Sequence, residues 1–406
     1  MTAMAMGRVS GRRLRRTSGV AGVAARLALL GLGVVLLGAC QSSRQQATPS
    51  FQQPTTPGAF TPSPQLADAF GDGITTVAIL APLTGADAAV GQQLLNAAQM
   101  AAVERGGQNF VLIAKDTQGS PAAAAAAAQQ AIAERADIII GPLRSQEVAA
   151  VGPIAAQAGI TVVGFSSDAS VAGPGVLVMG LTPADEVDRI MAYAARQGAS
   201  VVAALVPQTA YGTVAMNAFQ QLAPRHGLAM GAIQSYNPTD ADHTAAVQPL
   251  QSGGFDTLFV PDGGASLARI MPFVAYYNVD RGRRVLGTAV WDDPRTLGEP
   301  ATTGGLFANV DPRMRDAFNA KYQGAYGSTP SQVAGLAYNA VAMAAELGRS
   351  NNFSTAAIAN PNGFNGVFGA YRFGPDYVAD HALAVMQVQS GGFAVVDPAP
   401  TSFVGF

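Results

Sequence analysis

The 406-residue chain carries one cysteine, Cys40, so no internal disulfide can form and a small disulfide-stapled architecture is excluded. Histidine is almost as scarce. His226, His243 and His381 stand far apart, in no His-Glu-x-x-His or other two-ligand spacing, so the sequence offers no metal centre. Charged residues make up only 12% of the chain and no long Lys/Arg run follows residue 44. The electrostatic footprint of a nucleic-acid binder is therefore missing. There is no Gly-x-x-x-x-Gly-Lys-Ser/Thr phosphate loop and no Gly-x-Gly-x-x-Gly after the first strand, and Gly164-Phe165-Ser166-Ser167-Asp168 is not a Gly-x-Ser-x-Gly elbow. With kinase, dehydrogenase and hydrolase signatures all absent, the chain reads as non-enzymatic and without a cofactor. The N-terminal apolar run, Leu27 to Leu37, is well short of the ~20 residues a bilayer-spanning helix requires.

That run is informative in its setting. Arg8, Arg12, Arg13, Arg15 and Arg16 precede it and Leu37-Gly38-Ala39-Cys40 closes it, the order of a secretory signal. Leu-Gly-Ala-Cys resembles the lipobox of bacterial lipoproteins, which implies acylation of Cys40, cleavage before it and export. Gln41 in the next position resembles the sorting choice of outer-membrane lipoproteins. Six of the 24 Lys+Arg and none of the 26 Asp+Glu precede Cys40, so the remainder is mildly acidic. Residues 41–72 are rich in Gln, Ser, Thr and Pro and lack a sustained apolar period, the composition of a solvated tether.

From residue 73 onward, short apolar or β-branched runs alternate with Ala-rich helical stretches, with Gly and Pro at the joints. The pattern predicts strands at 74–81, 109–114, 137–140, 160–164, 176–179, 200–206, 228–233, 256–260 and 284–287. Helices are predicted between them, with two more near 313–326 and 331–348. Such alternation implies right-handed βαβ crossovers and parallel sheets covered by helices on both faces. Ser120-Pro121 and Thr182-Pro183 each place a capping hydroxyl before a proline at the first helical position. After Gly366 the apolar residues alternate with polar ones, which predicts antiparallel strands in an otherwise α/β body.

These segments resemble the type I periplasmic binding proteins, and within them the branched-chain amino-acid-binding (leucine-binding-protein-like) group. The landmarks are Ala81-Pro82-Leu83-Thr84-Gly85, Ile140-Gly141-Pro142-Leu143-Arg144-Ser145, Val162-Val163-Gly164-Phe165-Ser166-Ser167 and Tyr211-Gly212, each after a strand. Phe255 to Asp262, Leu286 to Pro294 and Gly363-Phe364-Asn365-Gly366 look like the penicillin-binding-protein activators, lipoproteins of the same fold. The resemblance implies two Rossmann-like lobes joined by three crossover strands near Gly180, Gly304 to Asn309, and Gly363. It divides the chain into a signal (1–39), an anchor and linker (40–72), lobe 1 (73–180 with 309–362) and lobe 2 (181–308 with 363–406).

Two functions follow from the resemblance. One is a receptor for a small amino-acid-like solute, partnered by an ABC transporter. The other is an activator that docks on a peptidoglycan synthase, and neither involves nucleic acid. In an open parallel sheet, ligands bind beyond the carboxyl ends of the strands. Ser145, at a predicted helix N-terminus, and Ser166 and Ser167, one strand later, are the candidates for a ligand carboxylate. Tyr211 is the candidate aromatic cover from the second lobe, Asp262 and Asp292 are candidate partners for an ammonium group, and Trp291 is a candidate wall of the cleft mouth or anchor for a partner.

Overall fold

The computed structural model describes residues 74–403. The signal, Cys40 and tether readings fall outside the described residues. The described residues all fall within one compact unit. Its first part runs β1 (Thr75–Ala81), α1 (Ala88–Ala101), β2 (Phe110–Asp116), α2 (Pro121–Ala133), β3 (Ile138–Ile140), α3 (Ser145–Gln157), β4 (Thr161–Gly164) and β5 (Val176–Val178). These strands make a parallel sheet in the order β2-β1-β3-β4-β5. Because β1 has β2 on one side and β3 on the other, the order in which strands are added reverses between β1 and β3, the place where an open α/β sheet leaves a crevice. β1 and β3 are buried along their whole length, as continuous apolar runs in a two-faced parallel sheet should be.

The second part runs α4 (Pro183–Arg196), β6 (Val201–Pro207), α5 (Ala210–Leu222), β7 (Ala229–Tyr236), α6 (Thr244–Val247), β8 (Thr257–Phe259), α7 (Gly264–Tyr276), β9 (Arg284–Gly287) and β10 (Leu306–Asn309). α8 (Pro312–Tyr326), α9 (Gln332–Gly348) and α10 (Thr355–Ile358) follow. The chain then forms β11 (Phe364–Gly366), β12 (Gly369–Phe373), β13 (Ala379–His381), β14 (Ala384–Gln389) and β15 (Gly392–Asp397). The second sheet has the order β15-β14-β10-β9-β8-β6-β7, with β14 and β15 added antiparallel at one edge. α8 and α9 return to the first sheet: Tyr322 accepts a hydrogen bond from Asn96 of α1, and Tyr326 donates to the Asn96 carbonyl at 2.8 Å. Among the described residues the chain thus passes between the two sheets three times. The result is a two-lobed α/β fold.

Local chemistry explains the joints. The Ser120 and Thr182 hydroxyls accept from the amides of Ala123 and Asp185, and Asp185 reciprocates to the Thr182 amide at 3.0 Å, completing a capping box. The seven consecutive alanines of α2 give it an unusually slim buried face, with Ala124, Ala127, Ala128 and Ala131 against the first sheet. Gly141 has φ +90°, and a Cβ there would lie 2.2 Å from the Leu80 carbonyl, so only glycine lets β3 turn towards α3 so close to β1.

One expectation needs correction. The resemblance assigns everything beyond residue 363 to the second lobe. Instead β11, β12 and β13 form a separate three-stranded sheet. It leans on α9, where Asn339 accepts from the Val367 amide, and it touches β5 through Val178 and Val378. Only β14 and β15 join the second sheet, because the alternation of 366–373 fits a small half-exposed sheet as well as an added edge.

Candidate functional site

A cavity of about 490 Å³ opens at the carboxyl ends of β3, β4 and β5, lined by residues from four separate stretches of chain. Leu143, Arg144, Ser145 and Gln146 come from the start of α3, and Phe165 to Asp168 from the turn after β4. Gly180 and Leu181 come from the exit of β5, and Gln332, Val333 and Leu336 from the first turns of α9. The lining has two characters. Leu143, Phe165, Leu181, Val333 and Leu336 supply apolar side chains, and Ser145, Gln146, Ser166, Ser167 and Gln332 supply hydroxyls and amides. Gly180 keeps the lining tight: a Cβ there would sit 2.1 Å from the Ser166 carbonyl.

Ser145, Ser166 and Ser167, separated in sequence, all line this cavity as the sequence suggested. Ser145 is the first residue of α3, where the helix leaves amide hydrogens without intrahelical acceptors. Glu147 satisfies the Arg144 amide at 2.9 Å, whereas the amides of Ser145 and Gln146 bond to no group among the described residues. Ser166 is 5% exposed and its Oγ accepts from the Asp168 amide at 3.0 Å, fixing the turn. Ser167 is exposed, and neither its hydroxyl nor the side-chain amides of Gln146 and Gln332 have a protein partner among the described residues. The lining therefore holds unused donors beside a helix N-terminus, which suit a carboxylate, and the exposed carboxylate of Asp168, which suits a cation. The Arg144 guanidinium is committed elsewhere, to Asp87 at 2.5 Å.

The other four candidates are not part of this cavity. Trp291 is 0% exposed and contradicts its expected place at the cleft mouth. Its ring fills the space left by Gly287 and Gly305, packs on Phe307 and donates its indole N–H to the Val260 carbonyl at 3.1 Å. A tryptophan flanked by polar turn residues looks exposed in sequence; the glycines that receive it lie 4 and 14 positions away. Tyr211 does stand at the start of α5, yet its hydroxyl is engaged within the second part of the chain, 3.0 Å from Glu186 Oε2 and 2.7 Å from Thr288 Oγ1. Asp262 accepts from the Gly263 amide at 2.8 Å and from the Tyr236 hydroxyl. Asp292 accepts from Asn309 at 2.9 Å and pairs with Arg315 at 2.8 Å. Asp262 thus holds two neutral donors of the fold, and Asp292 has a cation and an amide as partners.

Sequence reasoning missed Glu186. It sits in the first turn of α4, accepts from the Ala289 amide at 3.0 Å and from Tyr211, and joins α4, α5 and the end of β9. Burial pushes its carboxyl up to about 7, against the lowering effect of those two donors. Gln332, Val333 and Leu336 were invisible for another reason: α9 lies some 150 residues beyond β5 and reaches the site by packing on α1 and on β1 and β3 of the first sheet. A second cavity, about 470 Å³, lies at the carboxyl end of β6 and is lined by Pro207, Gln208, Thr209, Thr213, Asn217 and Ser235 among others. Among the described residues, no cluster of metal-ligating side chains occurs and no helix is long and apolar enough to cross a membrane.

Comparison with known proteins fits this geometry. The family model described as periplasmic binding protein matches residues 75–393. The Leu/Ile/Val-binding protein BraC3 of Rhizobium johnstonii is 26% identical over 254 residues, 58% of this chain and 67% of that protein. Among solved structures, a Rhodospirillum rubrum protein attributed to a branched-chain amino acid ABC transporter superposes with a TM-score of 0.70 at 22% identity, covering 80% of this chain and all of that one. The Streptococcus pneumoniae substrate-binding protein LivJ, solved with isoleucine, gives 0.50 at 19% identity over 80% of this chain and 100% of that chain. With its two α/β lobes and a match across nearly the whole described chain, this protein belongs to the periplasmic binding protein family.

Proposed function

We propose that the protein is a solute receptor whose ligand is a small amino acid, bound first to the cavity of the β1–β5 lobe and then covered by closure of the other lobe. The observation that carries this reading is the division of the cavity lining. Ser145, Ser166, Ser167 and the open α3 amides supply polar groups, and Leu143, Phe165, Leu181, Val333 and Leu336 supply apolar side chains. An aliphatic amino acid has both parts, and relatives named for leucine, isoleucine and valine support that choice. Closure would couple binding to recognition by an ABC transporter, as a shift between open and closed populations. Tyr211 and the Glu186 cluster behind it belong to the face that closes. A calorimetric panel of amino acids on ligand-free protein tests the reading. Heat with aliphatic members that falls on Ser145→Ala or Ser167→Ala substitution supports it, and silence across the panel rejects it.

We further propose export and lipid anchoring through Cys40, supported by the Leu37-Gly38-Ala39-Cys40 motif and by Gln41 for the outer membrane. Intact mass of the membrane-extracted protein, with and without Cys40→Ser, checks the acylation. The synthase-activator alternative shares this anchor. Co-purification with a peptidoglycan synthase that survives Ser145→Ala and Ser167→Ala would favour it.

A further inference from the structure

Any α-amino acid brings an ammonium group two bonds from its carboxylate, and that cation requires an acceptor. The sequence pointed to Asp262 or Asp292, but each is already satisfied by neighbours within the fold. Glu186 is no better placed, because its Oε2 is taken by Tyr211 and the Ala289 amide. One carboxylate does line the cavity itself, Asp168, in the same turn as Ser166 and Ser167. It is exposed to the cavity, and Ser170 bonds only its Oδ1, through the amide at 3.0 Å and the hydroxyl at 2.6 Å. No Lys, Arg or His forms an ion pair with it among the described residues. Hydrogen bonds from the Ser170 hydroxyl and amide hold this carboxyl below the usual carboxylate range.

The electrostatics of the lining then become selective. Among the described residues Arg144 is the one cation lining the cavity, and it pairs with Asp87, which leaves Asp168 as the uncompensated charge of the lining. A ligand that is only a carboxylate would set a second anion against it. A zwitterion does not, because its ammonium stands between. We propose that Asp168 receives the ligand's ammonium group and that the site thereby selects α-amino acids over carboxylic acids lacking the amine. This rests on the reading that an amino acid occupies the cavity.

The test is titration calorimetry of isoleucine and of its deamino analogue, 3-methylpentanoate, into ligand-free full-length mature protein, compared with Asp168→Asn, Asp168→Ser and Asp292→Asn. The unsubstituted protein should prefer isoleucine by about 10- to 100-fold, the scale of one charge-assisted hydrogen bond. Both Asp168 variants should lose that preference, mainly through weaker isoleucine binding, and Asp292→Asn should keep it. Asn and Ser can each still cap Ser170, so the two variants guard against a folding artefact. A preference retained in both Asp168 variants, or lost only in Asp292→Asn, overturns the role of Asp168 alone. If neither isoleucine nor any other amino acid binds the unsubstituted protein, the inference and the receptor reading fall together.

Discussion

Glu186→Gln isolates the energetic consequence of holding a carboxyl among α4, α5 and β9. In the folded protein burial raises this group from an ordinary 4.5 to about 7. A carboxyl whose folded value exceeds its unfolded value binds more protons when folded, so its contribution is complete below the unfolded value and is lost as pH rises through the folded one. The window is therefore pH 4.5 to about 7, and at about 1.36 kcal/mol per pH unit the ceiling is roughly 3 kcal/mol. Glu186 is partly exposed, which places the expected loss somewhat below that ceiling. Gln is isosteric, stays neutral, and its carbonyl oxygen still accepts from Tyr211 and the Ala289 amide. Urea unfolding of both proteins at pH 5, 6, 7 and 8, followed by far-UV circular dichroism and by Trp291 fluorescence, measures the difference. The two proteins should be closest in stability at pH 5, with the variant gaining about 2 kcal/mol on the wild type by pH 8. Asp185 and Asp380 are also raised by burial, but both are present in each protein and largely cancel in the comparison. Parallel stabilities from pH 5 to 8 would refute the reasoning.

Two further perturbations probe other parts of the account. Trp291→Ala should destabilise by about 3 to 5 kcal/mol, the cost of emptying a fully buried aromatic site, and wild-type Trp291 emission should be blue-shifted and resistant to acrylamide. An exposed-type emission spectrum with a mild alanine effect would return this ring to the cleft mouth. Asp116 accepts from the amides of Leu83, Thr84 and Gln118 and from the Thr84 hydroxyl, and these bonds outweigh burial to hold its carboxyl below the usual range. Asp116→Asn should cost roughly 1 to 2 kcal/mol at pH 7, and the deficit should shrink as pH falls through the depressed value. A deficit independent of pH would mean that the ionised carboxylate is not what orders this loop.

The fold was legible because its signals are periodic and local. β-branched runs, capping hydroxyls at Ser120 and Thr182 and glycines at the joints each act within a few residues. They placed the antiparallel tail and the strands of both sheets except β10, which reads in sequence only as a crossover. The site was half legible for the same reason. Ser145, Ser166 and Ser167 stand directly after strands, where parallel topology alone brings side chains together. What failed depended on distance in sequence. The burial of Trp291 depends on Gly305 and Phe307, the occupation of Asp292 on Asn309 and Arg315, and the apolar wall on α9. Asp168 stands in a stretch already read in sequence, but its place in the cavity lining appears only in the fold.

The central claim, that an amino acid seats its carboxylate at the start of α3, is tested most directly by a crystal structure of the protein with the tightest-binding member of the calorimetric panel. The account predicts the ligand carboxylate on the Ser145 and Gln146 amides and the Ser145 and Ser167 hydroxyls, with the aliphatic chain against Leu181, Val333 and Leu336. A ligand found instead in the cavity at Gln208 to Asn217, with the Ser145 to Ser167 end holding only water, would contradict it.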